Sequence, residues 1–116
     1  MKILVTGSNG LVGNAIVRCL KKHNFENLFT PSRSELDLES IDKVTNYIND
    51  LKPEFIFNAA GLVGGVSVNN LNRTDFIYKN THMQFNVIFS AHKLGLKSII
   101  NFGSSCIYPK FSNLPI

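Results

Sequence analysis

Val5-Thr6-Gly7-Ser8-Asn9-Gly10-Leu11-Val12-Gly13 is the stretch whose reading decides the fold. Ahead of it, Ile3-Leu4-Val5 is short, continuous and apolar, as a buried strand is, and an amphipathic segment follows it. A strand, then glycines at 7, 10 and 13, then a helix, makes a phosphate cradle. Gly7 turns the chain off the strand, and Gly10 lets the backbone approach a pyrophosphate. Gly13 lets the helix lie tight on the strand. Ser8, Asn9, Leu11 and Val12 complete the cradle, where the helix N-terminus offers unpaired N–H groups and a positive dipole end. The spacing is G-x-x-G-x-x-G rather than G-x-G-x-x-G. A glycine triplet alone is weak evidence, since a plain turn explains most of them. The flanking strand and helix supply the required context, and nucleotide binding is expected.

The composition fits one globular domain: 116 residues, 44% hydrophobic and 17% charged. Cys19 and Cys106 are far apart and make no disulfide framework. Nothing near the N-terminus resembles a signal peptide, so a reducing, cytoplasmic setting is expected. No apolar run approaches the length of a membrane span, and no membrane partner is expected. The net charge of +4 comes from scattered lysines and arginines, without the tight basic run of a nucleic-acid footprint. No metal-ligand set is nominated.

Beyond the cradle, Val12, Ala15, Ile16, Cys19 and Leu20 recur at helical spacing over 11–23, with Cys19 read as a small core residue. Leu28-Phe29-Thr30 reads as a second strand. In dinucleotide sites an acid about 20 residues past the glycines grips the adenine ribose, whereas an arginine suits a 2′-phosphate. Here Thr30-Pro31-Ser32-Arg33 carries no acid at the strand tip, and Ser32 and Arg33 can both hydrogen-bond a phosphate. NADP is therefore expected over NAD; the plainer reading of Arg33 is a solvated loop charge. Asp37, beside Leu38, reads either as a helix-terminus charge or as a group at the adenine edge. Ile41, Val44, Ile48 and Leu51 share one face of a helix stopped at Lys52-Pro53.

Phe55-Ile56-Phe57 is the third strand. Asn58 follows, then Ala59, Ala60 and Gly61, small enough for a cofactor to approach closely. A loop over 62–73 holds Val63, Gly64, Asn69 and Asn70 at the strand's C-terminal end, where α/β sheets place ligands. The longest helix spans about 74–94. Phe76, Ile77, Met83, Val87, Ile88, Ala91 and Leu94 are expected to cover the sheet. Tyr78, Phe85 and Phe89 lie opposite, as a homodimer interface or a contact with parts of a larger domain. Gly95 ends that helix, and 98–102 is the fourth strand. The alternation implies α/β class: a Rossmann-like parallel sheet with helices on both faces, in strand order 3-2-1-4. That order makes the glycine loop and the Ser104 segment neighbours.

Three stretches together carry a family resemblance: the glycine loop, Asn58-Ala59-Ala60-Gly61 and Gly103-Ser104-Ser105. With them the chain resembles the extended short-chain dehydrogenase/reductases. Gly61-Leu62-Val63-Gly64-Gly65-Val66, Asp75-Phe76-Ile77-Tyr78-Lys79-Asn80 and Ser104-Ser105-Cys106-Ile107-Tyr108-Pro109-Lys110 narrow the resemblance to the GDP-L-fucose synthase family. The resemblance implies an NADP-dependent 3,5-epimerase/4-reductase acting on a nucleotide sugar, GDP-4-keto-6-deoxy-D-mannose. It implies Ser104 as the serine that hydrogen-bonds the sugar C4 oxygen, Cys106 as an acid/base of the epimerisation, and the Asn69-Asn70 loop on the substrate or nicotinamide side. It also implies that Asn80 is a structural or cofactor-side residue. Many relatives carry arginine where this chain has Asn9, which leaves more of any 2′-phosphate recognition to Arg33.

The family's Tyr-x-x-x-Lys pair is not in these residues. Tyr47, Tyr78 and Tyr108 are followed four positions later by Leu51, His82 and Ser112. The expectation is the N-terminal part of a dinucleotide-binding domain, truncated and inactive alone, with an open apolar sheet edge.

Overall fold

The computed structural model describes residues 1–104, 107–109 and 111. Cys106 lies outside the described residues. The element order is β1 (Ile3–Thr6), α1 (Leu11–Lys22), β2 (Leu28–Phe29), α2 (Ile41–Leu51), β3 (Phe55–Asn58), α3 (Val66–Leu71), α4 (Arg73–Lys93) and β4 (Ile99–Asn101). All strand pairings are parallel, as the alternation implies.

The lateral order is β2-β1-β3-β4, so β3 rather than β4 flanks β1. This corrects the order 3-2-1-4. That order would put the second strand at the centre of the sheet with partners on both sides. Leu28–Phe29 has only two half-buried residues, and Pro31 soon after it has no N–H to donate, so β2 suits an edge. Phe55-Ile56-Phe57 is apolar on both faces and takes the central place.

Side chains alternate across the sheet. On one face Leu4, Ile56 and Ile99 meet Val44 and Ile48 of α2 and Val87 and Ala91 of α4, with Leu36 closing the cluster. On the other face Ile3 and Val5 are buried, at 1% and 0% exposure, where α1 meets β1. Their register partners Phe55 and Phe57 are only half-buried, and Ile100, paired with Phe57, is 44% exposed. Among the described residues, helices thus cover one face broadly and the other near β1.

Several side chains sit differently from their sequence reading. On α1 the tight contact at Gly13 turns the helix, so Ile16, Val17 and Leu20 face inward while Ala15 and Cys19 are exposed. Cys19 is a surface thiol, not a core residue. On α4 Ile77, Ile88 and Leu94 are exposed, and the inner stripe is Asn86, Val87, Ser90 and Ala91. The two polar members are paired: Asn86 Nδ2 donates to Leu38 O at 2.9 Å, and Ser90 Oγ meets Thr45 Oγ1 of α2 at 2.8 Å. The 62–73 loop contains the short helix α3, whose start is held by Asn69 Nδ2 donating to Gly64 O at 2.6 Å.

Helix ends follow local chemistry. Ser40 caps α2 by accepting from Lys43 N. Beyond α1 and α4 the chain reverses through left-handed Asn24 and Gly95. Paired bonds run back from Asn24 N and Phe25 N to Lys21 O and Leu20 O, and from Gly95 N and Leu96 N to His92 O and Ala91 O.

Candidate coenzyme site

The cradle forms where β1 ends. Gly7 has φ +67°, and a Cβ there would stand 2.5 Å from Ala59 O, so the turn and its contact with the end of β3 both require glycine. A Cβ on Gly13 would lie 2.1 Å from Gly7 O; α1 therefore abuts the glycine loop's own backbone more than the strand. At the start of α1, Gly10 offers no side-chain cap and the first turn carries no acid. The N–H groups of Leu11, Val12 and Gly13 are left for an anion. These features fit a pyrophosphate.

Beneath the cradle a polar line crosses three strands. Thr6 Oγ1 donates to Asn58 Oδ1 at 2.5 Å, and Asn58 Nδ2 donates to Asn101 Oδ1 at 2.7 Å. Thr6 and Asn58 are 2% and 1% exposed, so their hydrogen-bonding capacity must be met internally. Beyond the strand ends, Ala59 N donates to Thr6 O and Phe102 N to Asn58 O. The glycine loop, the Ala59–Gly61 segment and Gly103-Ser104 therefore leave the sheet at one end, with the middle segment between the other two.

A cleft of about 230 Å³ opens beside this rim. Its floor is Thr6, Gly7, Ser8 and Asn9; one wall is Ala60, Gly61 and Leu62; the other runs from Pro31 to Glu39. Of the residues nominated from sequence, Gly7, Ser8, Asn9, Ser32, Arg33, Asp37, Leu38, Ala60 and Gly61 line it together. Ala59 lies under Gly7, and Gly10 to Gly13 form the helix start beside the cleft. Val63, Gly64, Asn69, Asn70 and the exposed Ser104 are not among its walls.

Sequence reasoning missed Leu36, Glu39, Lys79 and Met83, which also line the cleft. It also missed how far α4 supports the walls. Asn80 exchanges two hydrogen bonds with the backbone of Leu62, at 2.6 and 2.9 Å. Gln84 Nε2 reaches Ala60 O at 3.5 Å, and Asn86 holds Leu38 O. The available signal was a run of amides, 80, 84 and 86, on a helix otherwise rich in apolar residues.

The turn after β2 is held by its own acids. Glu35 Oε2 accepts from Ser32 N at 2.7 Å and Ser32 Oγ at 2.6 Å, which lowers the Glu35 carboxyl pKa below its usual 4.5. Arg33 Nη2 lies 2.8 Å from Glu39 Oε1, and Asp37 Oδ2 is 3.6 Å from Lys43 Nζ.

The model of the NAD dependent epimerase/dehydratase family matches residues 3–116. The chain belongs to the NAD dependent epimerase/dehydratase family. Among relatives in this family, GDP-L-fucose synthase 1 of Arabidopsis thaliana is 46% identical over 115 residues, covering 99% of this chain and 36% of that protein. Among solved structures, MlghC, a GDP-mannoheptose C4 reductase from Campylobacter jejuni with NADP bound, superposes with a TM-score of 0.92. It is 37% identical, and the match covers 99% of this chain and 36% of that one. A GDP-L-fucose synthetase from Naegleria fowleri bound to NADP gives a TM-score of 0.80 at 27% identity, covering 98% and 34%. The chain spans about a third of the length of these epimerase/dehydratase relatives.

Proposed function

We propose that this chain is the NADP-binding, N-terminal part of a nucleotide-sugar 3,5-epimerase/4-reductase that converts GDP-4-keto-6-deoxy-D-mannose to GDP-L-fucose. The observation that carries the reading is the cleft, which runs from the glycine loop at Gly7, Ser8 and Asn9, just ahead of the α1 start, to a wall holding Ser32 and Arg33. On this reading Ser8, Asn9 and the α1 start hold the pyrophosphate. Arg33 and Ser32 take the 2′-phosphate, and Asp37 and Leu38 border the adenine. Bound NADPH supplies the hydride. Ser104 donates a hydrogen bond to the sugar C4 oxygen, and Cys106 moves protons at carbons beside the ketone; an ordinary thiol pKa near ~8.5 makes that feasible with modest tuning. Val63, Gly64, Asn69 and Asn70 serve the substrate side.

The 116 residues contain no Tyr-x-x-x-Lys, so the proposed chain binds coenzyme without reducing the keto sugar. Calorimetry with NADPH, and NADPH oxidation with the keto-sugar nucleotide, test this. Coenzyme binding without turnover is expected, and absence of coenzyme binding would sink the reading. The names of the similar proteins support a GDP-linked sugar, and a different one is the nearest alternative. A second reading, an assembly module, draws on the outer face of α4, where Tyr78, Phe85 and Phe89 are 60%, 65% and 54% exposed. Within the enzyme reading the same stripe serves as a homodimer interface.

A further inference from the structure

Both groups placed to meet a coenzyme phosphate in the turn after β2 already hold a carboxylate. Ser32 gives its N–H and hydroxyl to Glu35. Arg33 is engaged by Glu39, whose side chain is 28% exposed against 75% for the arginine. Arg33, Lys43 and Lys79 line a hollow at this end of the cleft together with Glu35, Asp37 and Glu39, so the charges balance instead of favouring an anion. Lys43 lies within ion-pair reach of Asp37. Among the described residues, Lys79 is the one of these cations with no carboxylate within 4.0 Å. It projects from α4, and it borders the cleft together with Arg33 and Glu39.

We propose that Glu39 is a built-in competitor for Arg33 that tempers the preference for a coenzyme with a 2′-phosphate, and that Lys79 is the cation that offsets it. The inference rests on the coenzyme reading above. A 2′-phosphate is a dianion or close to it, and it cannot share Arg33 with a carboxylate at 2.8 Å without like-charge repulsion. Glu39 engages Arg33 through Nη2, so a phosphate taken by the remaining guanidinium N–H groups sits beside the Glu39 carboxylate and is repelled unless the exposed arginine swings away from it. NADH carries no 2′-phosphate and demands no such exchange. Glu39 therefore lowers affinity for NADPH selectively. Lys79 adds attraction for the same phosphate without an ion pair to break. An arginine–carboxylate pair this exposed is weak, so the exchange is feasible and its effect modest.

The test is calorimetric titration of the full chain and its Glu39→Gln and Lys79→Met variants with NADPH and with NADH. Glu39→Gln is expected to tighten NADPH by roughly fivefold and leave NADH unchanged. Lys79→Met is expected to weaken NADPH by a similar factor with little change for NADH. If Glu39→Gln shifts both coenzymes alike, or neither, Glu39 only braces the turn and the inference is wrong. If Lys79→Met leaves NADPH unchanged, its compensating role is wrong. If the unaltered chain binds neither coenzyme, the coenzyme reading itself fails and the inference falls with it.

Discussion

Asn80 satisfies both backbone groups of Leu62: its Oδ1 accepts from Leu62 N at 2.6 Å and its Nδ2 donates to Leu62 O at 2.9 Å. One amide on α4 thus acts as an extra strand for the segment leaving β3. That segment is a wall of the cleft. Asn80→Ala is expected to cost about 1–3 kcal/mol, since two part-buried backbone groups lose their partner. Asn80→Asp keeps the acceptor and turns a carboxylate toward the Leu62 carbonyl, so it is no milder. Chemical denaturation measures the loss, and faster hydrogen exchange at the Leu62 amide locates it.

The glycines of the loop separate folding from binding. A Cβ on Gly13 would meet Gly7 O at 2.1 Å and Gly7 C at 2.6 Å, both backbone atoms that cannot swing away. Gly13→Ala is expected to destabilise the chain by about 3 kcal/mol or more, read as a lowered melting temperature. A Cβ on Gly10 would meet only Gly7 O, at 3.3 Å, which a small shift relieves. Gly10→Ala should stay folded and lose coenzyme affinity.

Glu35 gives a pH signature. Hydrogen bonds from the Ser32 hydroxyl and N–H favour its ionised form and hold its pKa below the usual 4.5. A depressed folded-state value means that the turn's stabilisation is present above 4.5 and is lost as pH falls through the lower folded value. Carboxyl NMR titration should place the Glu35 midpoint below 4.5, and Ser32→Ala should move it back toward that value. An unchanged midpoint in Ser32→Ala would contradict the assignment.

If the outer face of α4 pairs with a second copy, charge there must break the pair. Phe85→Glu combined with Phe89→Glu changes two side chains that are more than half exposed. Sedimentation should show a dimer for the unaltered chain and a monomer for the variant. A monomer in both cases would remove the interface from the proposal.

The cradle was legible in the sequence because its demands are local: a strand, spaced glycines and a helix start are set by neighbours in the chain. The class of the fold followed from alternation for the same reason. Strand order was not legible, since it turns on which strand can stand partners on both sides, and Leu28-Phe29 and Phe55-Ile56-Phe57 look equally apolar over so few residues. The inner face of α4 is legible at Val87 and Ala91 but not at Asn86 and Ser90, which are polar by type and paired with Leu38 O and Thr45 across space. Ile77 and Ile88 are apolar by type, which suggests the inner face, yet they face out. Lys79 and Glu39 were invisible for a related reason: only the tertiary fold brings the turn after β2 up against α4.

Among the described residues the sheet has helices α2 and α4 on one face and α1 on the other, with Phe55, Phe57 and Ile100 left partly open. Apolar surface that stays wet in the folded state has no hydration to gain on melting. The heat-capacity step of unfolding scales with newly wetted apolar area, at about 12–15 cal/mol/K per residue for typical globular domains. This chain's step therefore falls short of that range, which flattens its stability curve and makes its melting enthalpy vary less with temperature.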